Sequence, residues 1–202
     1  ETVIIGAGQA GLATGYHLQR RGRSFVILDG GARVGDQWRR QYDSLRLYSP
    51  AKYDGLPGLA FPAPGWSFPG KDDVADYLEQ YAAHHGLPVR LGVRVTDLTP
   101  RPGGGFTVTT TDPTGRAYTC DNVVVATGPY RIPRVPPFAN ELDHSIVQLH
   151  SSEYRRPSQL RWRKRCCHDA PLVVPGKPGN GIGVDRNHLL RWRRASAVGR
   201  PC

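Results

Sequence analysis

The stretch from Thr2 to Gly31 constrains this chain more than any other part of its sequence. Val3-Ile4-Ile5 is a short run of β-branched residues, the composition of a buried strand. Gly6-x-Gly8-x-x-Gly11 closes the turn after it, and Leu12, Ala13, Tyr16 and Leu18 continue at helical spacing. Ser24-Phe25-Val26-Ile27-Leu28 is a second β-rich run, and it ends in Asp29. Each glycine has its own physical task. Gly6 permits the tight turn, Gly8 lets a pyrophosphate approach bare backbone, and Gly11 lets the helix pack close to the strand. Ala7, Gln9 and Ala10 lie between them, so the loop offers unpaired N–H groups at the positive end of a helix dipole. Asp29 follows Gly11 by 18 residues, where a carboxylate can accept both hydroxyls of a ribose. Strand, loop, helix, strand and acid in this order read as one complete dinucleotide-binding unit.

A chain of 202 residues can bury a sizeable core and hold one domain plus part of another. No apolar run approaches the ~20 residues that span a bilayer, so no membrane partner is expected. Neither is a signal peptide, and a reducing cytoplasm is the expected compartment. The four cysteines include adjacent Cys166 and Cys167, with no CxxC and no metal-ligand spacing. The sequence begins at Glu1, directly before a strand, and contains no Met, which leads us to expect a fragment.

The net charge of +10 is unevenly placed. Residues 1–154 hold 15 Lys+Arg and 15 Asp+Glu, whereas residues 155–202 hold 12 bases against Asp169 and Asp185. Arg161-Trp162-Arg163-Lys164-Arg165 and Arg191-Trp192-Arg193-Arg194 interleave Trp and Arg as a phosphate-backbone binder does. A non-native tail is the preferred reading, and nucleic acid is not expected as a partner.

Residues 30–70 are dense in Gly, Pro, Tyr and Trp, without strand or helix periodicity. Asp72 to His85 reads as a helix capped by Asp72 or Asp73, with Val74, Tyr77, Leu78, Tyr81 and Ala82 on one face and Gly86 as its stop. Val89-Arg90-Leu91 and Val93-Arg94-Val95 read as a strand that continues the parallel sheet. Phe106–Thr111 and Arg116–Cys120 flank Asp112-Pro113-Thr114-Gly115, a β-hairpin signal. Asn122 to Gly128 reads as a central parallel strand ending in a small-residue turn. Pro129 to Pro137 is proline-rich and reads as a linker. The expected fold class is α/β: a Rossmann-like parallel sheet with an inserted β-hairpin, in truncated form.

Five segments in order resemble the FAD-dependent class B monooxygenases. That group includes flavin-containing monooxygenases, the plant auxin-biosynthetic flavin monooxygenases and bacterial Baeyer–Villiger enzymes. The first segment is GAGQAGLATGYHL with Asp29, and the second is Gly35-Asp36-Gln37-Trp38, similar to the family's G-G-x-W. The third, Tyr42 to Pro50, is similar to Y-x-x-L-x-L-x-x-P. The fourth is Val124-Val125-Ala126-Thr127-Gly128, similar to V-x-A-T-G, and the fifth is His150 to Tyr154, similar to H-x-x-x-Y. The resemblance implies an FAD/NAD(P)-binding fold, with FAD and NADPH as cofactors. It further implies O2 and a small-molecule substrate, with NADPH reducing FAD and a hydroperoxyflavin oxygenating the substrate. It places Gly6, Ala7, Gly8, Gln9, Ala10 and Gly11 on the FAD pyrophosphate and Asp29 on the ribose. Gln37 and Trp38 then fall near the ribityl chain, Val95 near adenine, and Ala126, Thr127 and Gly128 near the pyrophosphate or ribityl region. It names no catalytic acid, base or nucleophile.

The chain departs from the family pattern twice. His144 and Ile146 stand where the family's linker motif has Phe and Gly, and Phe138 lies 12 residues before His150. After Leu172-Val173-Val174, where a second GxGxxG is due, the Gly179, Gly181 and Gly183 spacing supplies no third glycine and two prolines remove N–H donors. The expected organisation is therefore an FAD-binding domain over 1–135, a linker toward an NADPH domain over 136–160, and an atypical basic tail over 161–202. A shifted reading frame near residue 160 is the expected origin of that tail, with heavy divergence as the alternative. Two other functions stay open. One is an FAD- or NAD-dependent reductase of the pyridine-nucleotide-disulfide superfamily; the other is a non-catalytic flavoprotein remnant with a basic tail that binds nucleic acid.

Overall fold

The first strand decides how the layers stack. In the computed structural model, which describes residues 1–111, 115, 117–128, 133–143 and 146–160, β1 (Thr2–Ile5) is buried at all four positions. Successive side chains of a strand point to opposite faces. Ile4 accordingly joins one hydrophobic cluster, with Leu12, Ile27 and Leu78, while Val3 and Ile5 join another, with Leu28, Val108 and Cys120. α1 (Gln9–Arg20) follows and returns the chain to β2 (Phe25–Leu28), which pairs parallel to β1 with Ile4 opposite Ile27.

The chain then runs through a long excursion. α2 (Asp36–Arg39) is one helical turn inside a stretch that lacks any periodicity in sequence. It is entered through Gly35 at φ 85°, where an added Cβ would lie 2.5 Å from the Ala75 carbonyl oxygen. α3 (Lys71–His84) buries Val74, Ala75, Tyr77, Leu78, Tyr81 and Ala82, the expected apolar face plus Ala75. The expected cap is corrected. Gly70 is the N-cap, and Asp73 sits three residues in, its Oδ2 accepting the Gly70 N–H at 2.8 Å.

Two tyrosines of α3 hold the preceding loop. Tyr77 Oη accepts the Leu56 N–H at 2.6 Å and donates to the Leu59 carbonyl at 2.7 Å, and Tyr81 Oη donates to the Pro57 carbonyl at 2.7 Å. Burial, with the Tyr77 and Tyr16 phenols nearby, pushes the Tyr81 phenol up to about 12.

β3 (Val89–Arg90) pairs parallel to β2, but the expected strand stops there. Val95 belongs instead to β4 (Val95–Pro100), the first strand of an antiparallel sheet with β5 (Phe106–Thr110) and β6 (Tyr118–Cys120). The cause is a turn: the Gly92 N–H bonds to the Gly31 carbonyl and the Val93 N–H to the Asp29 carbonyl, so the chain bends around the end of β2. The expected hairpin is thus two strands of a three-stranded meander.

β7 (Asn122–Val125) returns to pair parallel to β1. The sheet order is β3-β2-β1-β7, so β7 is the outer strand among the described residues, and Val125 is 64% exposed. The central strands are β1 and β2, which corrects the central position expected for Asn122 to Gly128. Helices α1 and α3 cover one face of the parallel sheet, and the antiparallel sheet covers the other.

The chain divides into two units, Glu1–Arg131 and Ile132–Cys202. The described part of the second unit holds 3₁₀ turns at Pro137–Glu141 and Pro157–Gln159, with the Gln148 side chain donating to the Ala139 carbonyl. The Asp112-Pro113-Thr114 turn, His144 and the whole stretch from Arg161 lie outside the described residues, so the expected tail and its broken glycine pattern do too. No helix among the described residues is long and apolar enough to cross a membrane.

Candidate dinucleotide site

The three glycines behave differently when a Cβ is added to each. At Gly6, with φ at 108°, it would lie 2.5 Å from the Ala126 carbonyl oxygen. At Gly11 it would lie 1.9 Å from the Gly6 carbonyl oxygen. At Gly8 it would meet no atom within 4 Å. Two glycines are therefore closed by packing and the middle one faces open space. That is the geometry a phosphate needs in order to reach backbone.

Gly8 is also the N-cap of α1, in extended conformation and without a side-chain cap. The first N–H groups of a helix have no acceptor inside it, and the dipole adds positive potential there. Gln9 and Ala10 stand exposed at this end, beside the buried Ala7. An anion at this helix end completes bonds the helix cannot make.

Asp29 leaves β2 beside the loop and is held at both oxygens. Oδ2 accepts the Ala7 N–H and Oδ1 accepts the Gly31 N–H, each at 2.7 Å. Each carboxylate oxygen keeps a further lone pair, so the pre-positioned acid can still accept ribose hydroxyls. Ala126 and Thr127 pack on the other side of the loop, and the Ala126 N–H bonds to the Ile5 carbonyl at 2.8 Å. Gly128 follows at φ 72°.

The remaining predicted residues divide. Trp38, from α2, lines a cavity of about 210 Å³ together with Gln9, Ser49, Asp54, Phe61 and Tyr77. Gln37 is exposed on the same turn, its carbonyl accepting the Gln41 side chain. Val95 packs among the cluster between the two sheets, and Gly92 and Val93 are the residues bonded to the Asp29–Gly31 segment. His150 closes a local turn, its Nδ1 accepting the Ser152 N–H at 3.1 Å and its carbonyl accepting the Glu153 N–H.

α2 is fixed by charge. Arg39 bonds Asp76 at 2.8 Å, Glu79 at 2.9 Å and the Val34 carbonyl at 2.8 Å, and Arg33 bonds Glu79 at 2.8 Å. The Arg33 hydrogen bond, with Arg39 adding its charge, holds the Glu79 carboxyl below its usual value. Asp54 and this cluster carry no motif and escape a reading by pattern.

Fold and site together define an α/β domain with a Rossmann-like parallel sheet and a glycine loop of the dinucleotide-binding type. The chain belongs to the pyridine nucleotide-disulphide oxidoreductase family, whose sequence profile matches residues 3–165. It is 43% identical over 184 residues to an uncharacterized CzcO-like oxidoreductase of Geobacillus kaustophilus, covering 91% of this chain and 50% of that protein. It is 34% identical over 197 residues to the indole-3-pyruvate monooxygenase YUCCA1 of Oryza sativa, covering 97% of this chain and 47% of that protein. Among solved structures it is similar to a flavin-containing monooxygenase of Stenotrophomonas maltophilia, at 35% identity and TM-score 0.71 over 78% of this chain and 47% of that one. An S-allyl-L-cysteine S-oxygenase of Allium sativum aligns at 28% identity and TM-score 0.67, over 78% of this chain and 43% of that one. The chain spans about half the length of the curated relatives it matches. The resemblance to flavin monooxygenases carried by the five segments is borne out, as is the Rossmann-like parallel sheet.

Proposed function

We propose that this chain is the FAD-binding part of an NADPH-dependent flavin monooxygenase that uses O2 on a small organic substrate. The open face at Gly8, between two glycines closed by packing, is the observation that carries the proposal. The N–H groups of Gly8, Gln9 and Ala10 would hold the FAD pyrophosphate, and Asp29 the adenosine ribose. Ala126, Thr127 and Gly128 flank the loop, and Trp38 stands at the flavin end. When bound, FAD supplies the redox chemistry, taking reducing equivalents from NADPH and passing them to O2. The chain's own residues would bind and orient that cofactor.

Oxygenation is favoured over a disulfide reductase by the structural relatives above 25% identity, which include monooxygenases and an S-oxygenase. The tail reading shifts as well. An alignment covering 97% of the chain must enter the residues after 160, which favours divergence over a shifted reading frame.

The test is direct. Purified protein mixed with FAD and passed over a desalting column is expected to emerge yellow, with flavin bands and little NADPH consumption. A colourless protein would sink the proposal. NADPH consumed in step with a disulfide substrate would move it to the reductase reading.

A further inference from the structure

The cavity beside the glycine loop is lined by Asp54, whose carboxylate the fold satisfies at one oxygen and leaves unpartnered at the other. Asp54 follows the 3₁₀ turn Ala51–Tyr53, and its N–H bonds to the Ala51 carbonyl at 3.1 Å. Ser49 Oγ donates to Asp54 Oδ1, which fixes the carboxylate. Oδ2 is buried and has no hydrogen-bond partner among the described residues. An ionised carboxylate accepts at both oxygens, and a buried acceptor without a donor is costly. The arrangement is half of an interaction.

The position of this half follows from the geometry of a two-ended ligand. Asp29, bonded to Ala7 and Gly31, marks the ribose end of the loop. Gln9, on the first turn of α1, lines the same cavity as Asp54 and Trp38. A dinucleotide whose pyrophosphate sits at this helix end, with its adenosine ribose on Asp29, sends its other half away from Asp29. The cavity of about 210 Å³ on the Gln9 side, walled by Trp38, Phe61 and Tyr77, suits a flat aromatic group with a polar edge.

We infer that Asp54 Oδ2 accepts a hydrogen bond from a neutral O–H or N–H donor on the flavin half of FAD, and so positions that half. Asp54 is then a binding and positioning residue for the cofactor. This rests on the FAD reading above. The adenosine half makes no use of it.

The asymmetry between the two halves supplies the test. The 202-residue chain is titrated with FAD and, separately, with ADP, for the wild type, Asp54→Asn and Asp54→Ala. Flavin fluorescence quenching reports the first ligand and calorimetry the second. Asn can keep the Ser49 contact but presents an N–H₂ where an acceptor is required. Asp54→Asn is expected to weaken FAD about tenfold or more, to leave ADP unchanged, and to shift the visible bands of the residual bound flavin. Its melting temperature without ligand should match or exceed the wild type, because an unpaired charge has been removed. Equal FAD affinity in wild type and Asp54→Asn would overturn the inference while leaving the FAD reading intact. Loss of ADP and FAD binding together, or failure of both variants to fold, would make Asp54 a structural residue and also overturn it. A wild type that binds neither ligand sinks the FAD reading itself.

Discussion

Gly8 and Gly11 are the same residue type in one motif, yet the structure predicts opposite consequences for changing them. A Cβ at Gly11 would lie 1.9 Å from the Gly6 carbonyl oxygen, a backbone atom that cannot swing aside. Gly11→Ala is therefore expected to destabilise the fold by about 1–3 kcal/mol, the usual range for overpacking, read as a lower denaturation midpoint. A Cβ at Gly8 meets open space, and the residue already has an extended conformation that other residues adopt. Gly8→Val is expected to leave the denaturation midpoint unchanged and to lower FAD affinity at least tenfold. Equal FAD affinity in that variant would remove the phosphate from this loop. The sequence pattern assigns the three glycines these different tasks, and the packing agrees: of the three, Gly8 alone leaves room for a phosphate.

At the scale of elements, α3 organises the site through α2. Its outer edge binds α2 through Arg39, Asp76 and Glu79, and α2 carries Trp38. Arg39→Ala removes bonds to two carboxylates and the Val34 carbonyl. It is expected to cost about 1–3 kcal/mol and to change Trp38 fluorescence, with the second readout reporting movement of α2. The Glu79 carboxyl is held below its usual 4.5 by the Arg33 hydrogen bond. Its contribution is present above pH 4.5 and lost as the pH falls toward its folded value, so Glu79→Gln should flatten the fall in Tm below pH 4.5. Tyr81 works at the other extreme. Its phenol ionises near 12 in the folded chain against 10 in the unfolded one. The stability it gives is full below pH 10 and lost as the pH rises through about 12, and Tyr81→Phe should weaken that alkaline loss.

The same elements show how far a reading by pattern can go. β1, α1, β2 and α3 were legible because burial on one face imposes a period, and Gly86 marked the end of α3. The bend at Gly92 was not. A run of alternating Val and Arg reads alike in a parallel strand and in a meander, and the choice is made by bonds from Gly92 and Val93 to Gly31 and Asp29. α2 escaped for a different reason. Four residues hold no period, and its helical turn depends on Gly35 fitting against Ala75 and on charges 37 and 40 residues away. Asp54 escaped because nothing local distinguishes a half-buried acid with one unpartnered oxygen from a solvated loop acid.

Across the first compact unit, the described residues form three layers: helices, parallel sheet, antiparallel sheet. Alternation along β1 and β2 assigns each buried side chain to one interlayer core or the other. The glycine loop, Asp29 and Ala126 lie where the chain leaves β1, β2 and β7, at the ends of parallel strands where α/β sheets open to ligands. The basic excess of the sequence sits in residues 155–202, so the charge of +10 is no property of this site. What the loop offers an anion is backbone, a helix end and an open glycine, while Asp29, fixed by two N–H bonds, offers acceptors to hydroxyls.

On the proposed reading this loop holds the ADP half of FAD, and competition between nucleotides decides whether it does. Wild-type protein is titrated with FAD by fluorescence quenching, then with FAD in the presence of excess ADP, and finally with FMN, which lacks the adenosine half. FAD is expected to bind, ADP to displace it, and FMN to bind at least a hundredfold more weakly. FMN binding as tightly as FAD, with ADP without effect, would contradict that reading.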